Sequence, residues 1–364
     1  MKKTLCAVVS LLCFTHCIHA QPLTIGYTNC IAVTNYPQSL MDQIGKLKWY
    51  FAHASIGECI MEGVTNLHLA SPGFYQLQGF QATNTPPATN RPGSIYEDDR
   101  GNPGYNGDYQ TKIDLFSTAV SNGWHYPFVN LALNKFCYID IWYTYSSNGV
   151  ATELSSYLKS MTNLEAAFPQ TVFVYATMPI TVTNTPVDYG GALSLNNDYW
   201  RTLYNNALRA WCATNNRPLF DIADIEAHDT NGNNATFTLN GLTCQQLWFG
   251  NNQGGDFNGE VGDGCHPTNF GAEATMAQGL YALAAAIFNP SPLVHAISVS
   301  GGAASISWRG LPGHIYRLQY KTWPPTTNNW TDIQPDVFAT GPTVTVTNAP
   351  ANTAGCFYRV RLVQ

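Results

Sequence analysis

The sequence predicts a three-layer α/β/α domain on a parallel sheet, followed by a small antiparallel β-sandwich. Three observations carry this. Apolar runs bounded by turn residues alternate with stretches of helical spacing as far as residue 288. Those runs are apolar on both faces, as in strands covered by helices on each side. Beyond Asn289-Pro290-Ser291-Pro292 the pattern becomes a strict alternation of period two.

The elements follow in order. Met1-Lys2-Lys3, an apolar run over 5–17 and Ile18-His19-Ala20 before Gln21 have the pattern of a secretory signal peptide over 1–20. The run is too short to span a bilayer, and no later stretch is apolar enough, so a secreted (periplasmic or extracellular) chain without a membrane span is expected. Residues 47–54 (LKWYFAHA) predict a strand and 57–69 a helix, with Ile60, Met61, Val64 and Leu67 on one face. A Gly-, Pro- and Asn-rich loop is expected over 71–108, then a helix over 110–120. A strand falls within 128–141, a helix over 152–167 and a strand over 172–180 (VFVYATMPI). A helix over 195–214, a strand over 218–225, a loop over 228–266 and an Ala-rich helix over 268–288 complete a domain of residues 21–289. The prolines at 290 and 292 disfavour helix in the residues before them. In 290–364 the alternations Ile297/Val299, Ile306/Trp308, Tyr316/Leu318/Tyr320 and Val344/Val346 predict the sandwich.

Composition narrows the function. Of 364 residues only 11% are charged, against roughly 25% in ordinary soluble domains. The net charge is −6, and without residues 1–20 the chain has 15 basic against 23 acidic residues. That excludes a nucleic-acid binder, which needs basic patches to neutralise phosphate. The 13% aromatic content excludes intrinsic disorder. Seven cysteines follow residue 20. Cys244 and Cys265 bracket a Gly/Asn-rich loop and are expected to form a disulfide. No CxxC spacing or His/Cys cluster points to a metal, and no cofactor is expected.

Two segments carry chemistry. His53-Ala54-Ser55-Ile56-Gly57 lies where the first strand hands over to a helix, at the sheet edge where open α/β folds bind ligands. Ser55 there suits either a helix N-cap or a nucleophile. Asp263-Gly264-Cys265-His266-Pro267 precedes the last helix. A serine needs a base near neutral pH, and a carboxylate three residues from a histidine fixes the imidazole tautomer. His53 is expected to pack in the core, and Lys112 to form a solvated pair with Asp108 or Asp114. The acids between Asp221 and Asp229 read as a polar loop rather than a metal site.

Together the segments resemble the SGNH/GDSL hydrolase superfamily (flavodoxin-like in fold), whose nucleophilic serine follows strand one and whose DxxH precedes the final helix. The resemblance covers residues 45–288. It implies Ser55 as nucleophile, His266 as general base and Asp263 as its orienting partner. The chain departs from the family at Gly-Asp-Ser, here His53-Ala54-Ser55, and at Gly-x-Asn-Asp, where Cys137-Tyr138-Ile139-Asp140 keeps only Asp140. Asn106-Gly107-Asp108 stands for the second block, with the Gly107 N–H as an oxyanion donor and Asn106 and Asn134 as substitutes for the missing Asn. HASIG, NGDYQTKIDLF and NKFCYID together mark a divergent branch.

The expected function is a secreted serine esterase acting through an acyl-enzyme on small esters or acylated polysaccharide, O-acetyl groups foremost. Loop residues such as Tyr96, Tyr105 and Trp248 offer faces for sugar rings. The other reading is a glycan-binding or surface protein of the same fold without turnover, which the missing Gly-x-Asn-Asp favours. The terminal module resembles fibronectin- or Ig-like domains and is expected to be a spacer. The sequence leaves the oligomeric state open.

Overall fold

The computed structural model describes residues 23–100, 105–141, 146–182, 195–252, 263–267, 270–288, 294–300, 303–310, 315–322, 329–340, 343–350 and 356–363. The signal-peptide pattern lies outside them. The first part of the chain runs β1 (Thr24–Ile25), α1 (Tyr27–Ile31), α2 (Gln38–Ile44), β2 (Trp49–His53), α3 (Ile56–Ala70), β3 (Gln78–Gln81), β4 (Ser94–Asp99), α4 (Tyr109–Ser121) and β5 (Leu131–Asn134). It continues α5 (Ser147–Ala167), β6 (Val172–Ala176), α6 (Leu195–Asn215), β7 (Leu219–Phe220), α7 (Ile222–Ala227), the hairpin β8 (Thr236–Leu239) and β9 (Leu242–Gln245), and α8 (Phe270–Phe288).

Seven strands form one sheet in the order β1-β7-β6-β5-β2-β4-β3, every neighbouring pair parallel. Side chains alternate across it. Trp49 and Phe51 of β2, Leu131 and Leu133 of β5 and Val172 and Val174 of β6 join Ile60, Val64, Met276 and Leu280 in one core. Tyr50, Ala52, Ala132, Phe173 and Tyr175 face the other way, onto Phe116, Tyr157, Met161 and Leu208. Strands clothed on both faces explain the continuous apolar runs in the sequence. Each such side chain contributes roughly 1.5–3 kcal/mol by burial.

Polar side chains start helices where the pattern turns helical. Asp108 accepts the Thr111 N–H at 3.0 Å ahead of α4, and Ser146 accepts that of Gly149 at 3.2 Å ahead of α5.

Four expectations change. The loop over 71–108 contains β3, the edge strand, and β4 beside it, both short and rich in polar residues (QGFQ and SIYEDD). The strand expected over 218–225 ends after two residues, because Asp221 caps α7 by accepting the Asp224 N–H at 3.3 Å. The loop over 228–266 contains the β8–β9 hairpin. Cys244 and Cys265 are both free thiols: Cys244 sits in β9, while the Cys265 Sγ is engaged beside Asp263 and His266.

The chain ends in β10 (Val294–Ser300), β11 (Ala303–Arg309), β12 (Ile315–Thr322), β13 (Thr331–Phe338), β14 (Thr343–Pro350) and β15 (Cys356–Leu362). These make two antiparallel three-stranded sheets, β10-β11-β14 and β13-β12-β15. The rings of Trp308 and Tyr316, one from each sheet, meet edge to face at 6.0 Å, and Ile306, Leu318, Val344 and Val360 are buried with them.

Candidate active site

Strand β2 delivers Ser55 to the carboxyl edge of the sheet. The residue occupies the N-cap position of α3, with φ 55° and ψ −104° and no capping bond from its side chain. A non-glycine residue at positive φ costs about 1–3 kcal/mol and persists only where its surroundings hold it. Three contacts do so. The Ala54 carbonyl accepts the Gly57 N–H at 3.2 Å, and the Ser55 carbonyl accepts the Glu58 N–H at 2.7 Å. The Lys135 ammonium also donates to the Ala54 carbonyl, at 2.6 Å. Gly57 is obligatory for another reason, since a Cβ there would overlap the His53 side chain.

Instead of capping α3, the Ser55 hydroxyl is hydrogen-bonded to His266 Nε2. His266 Nδ1 is bonded in turn to Asp263 Oδ2. The carboxylate is itself fixed, because Oδ1 accepts the N–H groups of Cys265 and His266, both at 2.9 Å. The Gly264 carbonyl accepts the Val182 N–H at 2.7 Å, which ties this turn to the chain beyond β6. Tyr138 packs edge-on to the imidazole at 6.4 Å. Burial pushes the Asp263 pKa up, but the hydrogen bond and charge of His266 and the two amides outweigh it and hold the carboxyl far below the usual range. Asp263 is therefore ionised throughout the neutral range. A row of hydroxyl, imidazole and buried carboxylate can remove the serine proton during attack and return it to a leaving group.

Asp263, Cys265 and His266 also form the one group among the described residues whose metal-ligating atoms lie within 4.8 Å of one another. In it Nδ1 and Oδ2 bond each other, the arrangement of a base and its orienting carboxylate rather than of ligands converging on an ion.

The other sequence candidates lie elsewhere. Lys112 does not pair with Asp108 or Asp114. It is buried against Asp140, with Nζ 2.9 and 2.6 Å from the two carboxylate oxygens. Asp140 also accepts the Cys137 N–H at 2.8 Å and, on Oδ1, the Gly107 N–H at 2.8 Å. The Gly107 amide assigned to an oxyanion is therefore engaged by a carboxylate. The Asn106 side-chain oxygen accepts from Lys112 Nζ at 3.0 Å, so the ammonium does not engage its amide nitrogen. Asn134 ends β5 in register with Ala52, and its main-chain carbonyl accepts the Tyr157 hydroxyl at 3.0 Å.

The acids after β7 are structural. Asp221 receives Arg209 at 2.7 Å, Asp224 accepts the Tyr27 N–H at 2.9 Å, and Asp229 closes a turn with Asn231 and Asn233. Sequence reading passed over Lys135 and counted Glu226 only among the acids of a polar loop. Burial lowers the Lys135 pKa and pushes that of Glu226 up to about 8, and each feels the other's charge. A lysine directly after an apolar strand was the available signal for Lys135.

No family model and no curated protein matches the sequence. Among solved structures, a proposed acylhydrolase of Bacteroides fragilis aligns over 68% of this chain and 94% of its own, at 13% identity and TM-score 0.40. A protein of Streptococcus pneumonia, described as a proposed platelet activating factor, aligns over 70% and 91% at 13% identity and TM-score 0.38. A gut microbial diltiazem-metabolizing enzyme aligns over 74% and 58% at 13% identity and TM-score 0.31. Likeness at this level carries no argument about activity.

Proposed function

We propose that the protein is a divergent SGNH-like serine esterase, secreted, that removes acyl groups, O-acetyl foremost, from polysaccharide. One observation carries the reading: Ser55 sits where a serine ordinarily caps a helix, yet its hydroxyl bonds His266 Nε2, with Asp263 behind the imidazole. In the proposed reaction Ser55 Oγ bonds to the acyl carbon as its proton passes to Nε2. His266 then protonates the leaving alcohol, and water, deprotonated at the same nitrogen, releases the acid from the acyl-enzyme. Asp263 holds Nδ1 and steadies the imidazolium. With the Gly107 amide engaged by Asp140, the amides of Asn106 and Asn134 and the main-chain N–H of Ser55 remain as oxyanion donors. Each donor is worth roughly 3–4 kcal/mol in the transition state.

No helix among the described residues is long and apolar enough to cross a membrane. The reading takes residues 21–289 as the secreted esterase and 290–364 as a spacer. The test is hydrolysis of p-nitrophenyl acetate by the mature protein beside a folded Ser55→Ala variant. Turnover by the wild type and none by the variant supports the esterase; equal rates overturn it. The engaged Gly107 amide favours a second reading, a glycan-binding domain without turnover. Binding of an acetylated glycan by a protein inert in that assay supports it.

A further inference from the structure

A groove of about 600 Å³ opens at the start of α3, lined by residues that flank Ser55 in the sequence but by no member of the triad. Its walls include His53, two residues before Ser55, Glu58 in the first turn of α3, and Phe270, the first residue of α8 after the His266 turn. Glu58 lies close enough to His266 for their charges to interact. Five carboxylates line the groove, those of Glu58, Glu62, Glu97, Asp99 and Glu273, and no Lys or Arg is among the lining residues. Burial and the Glu62 carboxylate push Glu273 up to about 7, the mark of like charges held close together.

Two further features point to a ligand. His53 is 1% exposed, and neither ring nitrogen makes a hydrogen bond; Nε2 stands 3.5 Å from Glu97 Oε2. Glu97 is thus the partner of Nε2, whereas Nδ1 has none in the protein, and a buried nitrogen on a cavity wall ordinarily finds one in a ligand or water. Phe270, 64% exposed, offers a ring face at the rim, the surface that attracts an alkylammonium. A bare metal ion is a poor occupant. The groove is far larger than an ion, and its ligand atoms do not gather within 4.8 Å as those of Asp263, Cys265 and His266 do.

We propose that this groove is a subsite for an organic cation, so that the favoured substrate is an ester bearing an alkylammonium or protonated amine close to its scissile bond. The proposal rests on the esterase reading of Ser55 and specifies its substrate class. The carboxylates supply the field, Phe270 the ring face, and His53 a polar contact at the back.

The test compares acetylcholine with its uncharged isostere, 3,3-dimethylbutyl acetate, in the wild type and in Glu58→Gln and Glu97→Gln. The readout is the ratio of the two kcat/KM values within one enzyme, which does not depend on how much of each variant is correctly folded. Wild type should favour acetylcholine about tenfold or more, mainly through KM, equivalent to about 1.4 kcal/mol. The preference should shrink in 0.5 M NaCl and fall towards unity in the variants. Equal kcat/KM for the two esters, or a preference that survives both substitutions, overturns the subsite while leaving the esterase standing if p-nitrophenyl acetate is turned over. If no ester is hydrolysed, the esterase reading falls and the groove is tested alone by calorimetry with tetramethylammonium. Binding lost in Glu97→Gln supports the cation site, and no binding overturns it.

Discussion

Two polar clusters come from the segments that carry the chemistry and the family resemblance, and they are built in opposite ways. In Ser55, His266 and Asp263 each group bonds the next in one direction, and the row ends on a hydroxyl that faces a partly open surface. In Asn106, Gly107, Lys112 and Asp140 every bond closes inward: the ammonium takes the carboxylate and the amide oxygen, and the carboxylate takes two main-chain N–H groups. The first cluster can exchange a proton with something outside. The second has its ammonium, its carboxylate and the Gly107 amide paired with one another, and only the Asn106 amide nitrogen is left over. Residue types and spacing alone made both look like parts of one site; what separates them is whether the last polar atom of the chain of bonds is left facing outward.

The comparison is broken most severely at the open row. Ser55→Ala or His266→Ala should lower kcat by roughly 10⁵–10⁶ on any ester the protein cleaves, since triad members act as a unit. Asp263→Asn should keep the geometry and lower kcat by roughly 10⁴, by favouring the wrong imidazole tautomer. Substitution in the closed cluster should register first in stability. Lys112→Met leaves Asp140 as a buried, uncompensated charge and should cost about 3–5 kcal/mol in denaturant unfolding. A cost below 1 kcal/mol, or a kcat loss as large as that of Ser55→Ala with stability intact, would place Lys112 in the chemistry instead.

Two buried charged side chains outside both clusters, Lys135 and Glu226, sharpen the contrast. The Glu226 carboxyl has a pKa of about 8 in the folded state against an ordinary 4.5, with burial the main cause. The native state therefore holds this proton more tightly than the unfolded chain does. Stability falls as pH rises from 4.5 to 8, and the cost is fully present above 8. Glu226→Gln should accordingly stabilise by a few kcal/mol at pH 9 and by almost nothing at pH 4. Equal shifts in melting temperature at both pH values would contradict this. The smallest expected effect is on the turn itself: Lys135→Met removes the ammonium from the Ala54 carbonyl and should lower kcat about tenfold, with KM nearly unchanged. An altered KM at constant kcat would argue that Lys135 does not position Ser55.

Much of this architecture was legible in the sequence, and its gaps have physical causes. The strands β2, β5 and β6 announce themselves because both faces are buried, whereas β3 and β4 lie towards the sheet edge and keep Gln78, Gln81, Glu97 and Asp99, so no apolar run marks them. Leu219 and Phe220 could not be separated from Ile222 and Ile225 by apolarity, since two buried strand residues followed by a short buried helix give one continuous signal. In the candidate site, Ser55, Asp263 and His266 were readable because they stand at a strand–helix junction and at a fixed spacing. The Lys112–Asp140 pair was not, because its members stand 28 positions apart and only the fold brings them together. Cys244 and Cys265 misled for the converse reason: closeness to a shared loop does not bring two sulfurs into contact.

The thiols have a consequence for how the protein ages. Six of the seven cysteines in the described residues are buried, and burial raises the pKa of every one of those six. Only the thiolate attacks a disulfide or an oxidant, so these sulfurs are chemically quiet while the fold is intact. Even Cys265, 3.3 Å from the proposed catalytic imidazole, is protected by the carboxylate next to it, which raises its pKa further. Among the cysteines of the described residues, an oxidising environment would thus act on the folded molecule first at Cys356. Unfolding would release six reactive groups at once, so transient opening, rather than exposure to air, would set the lifetime of the preparation.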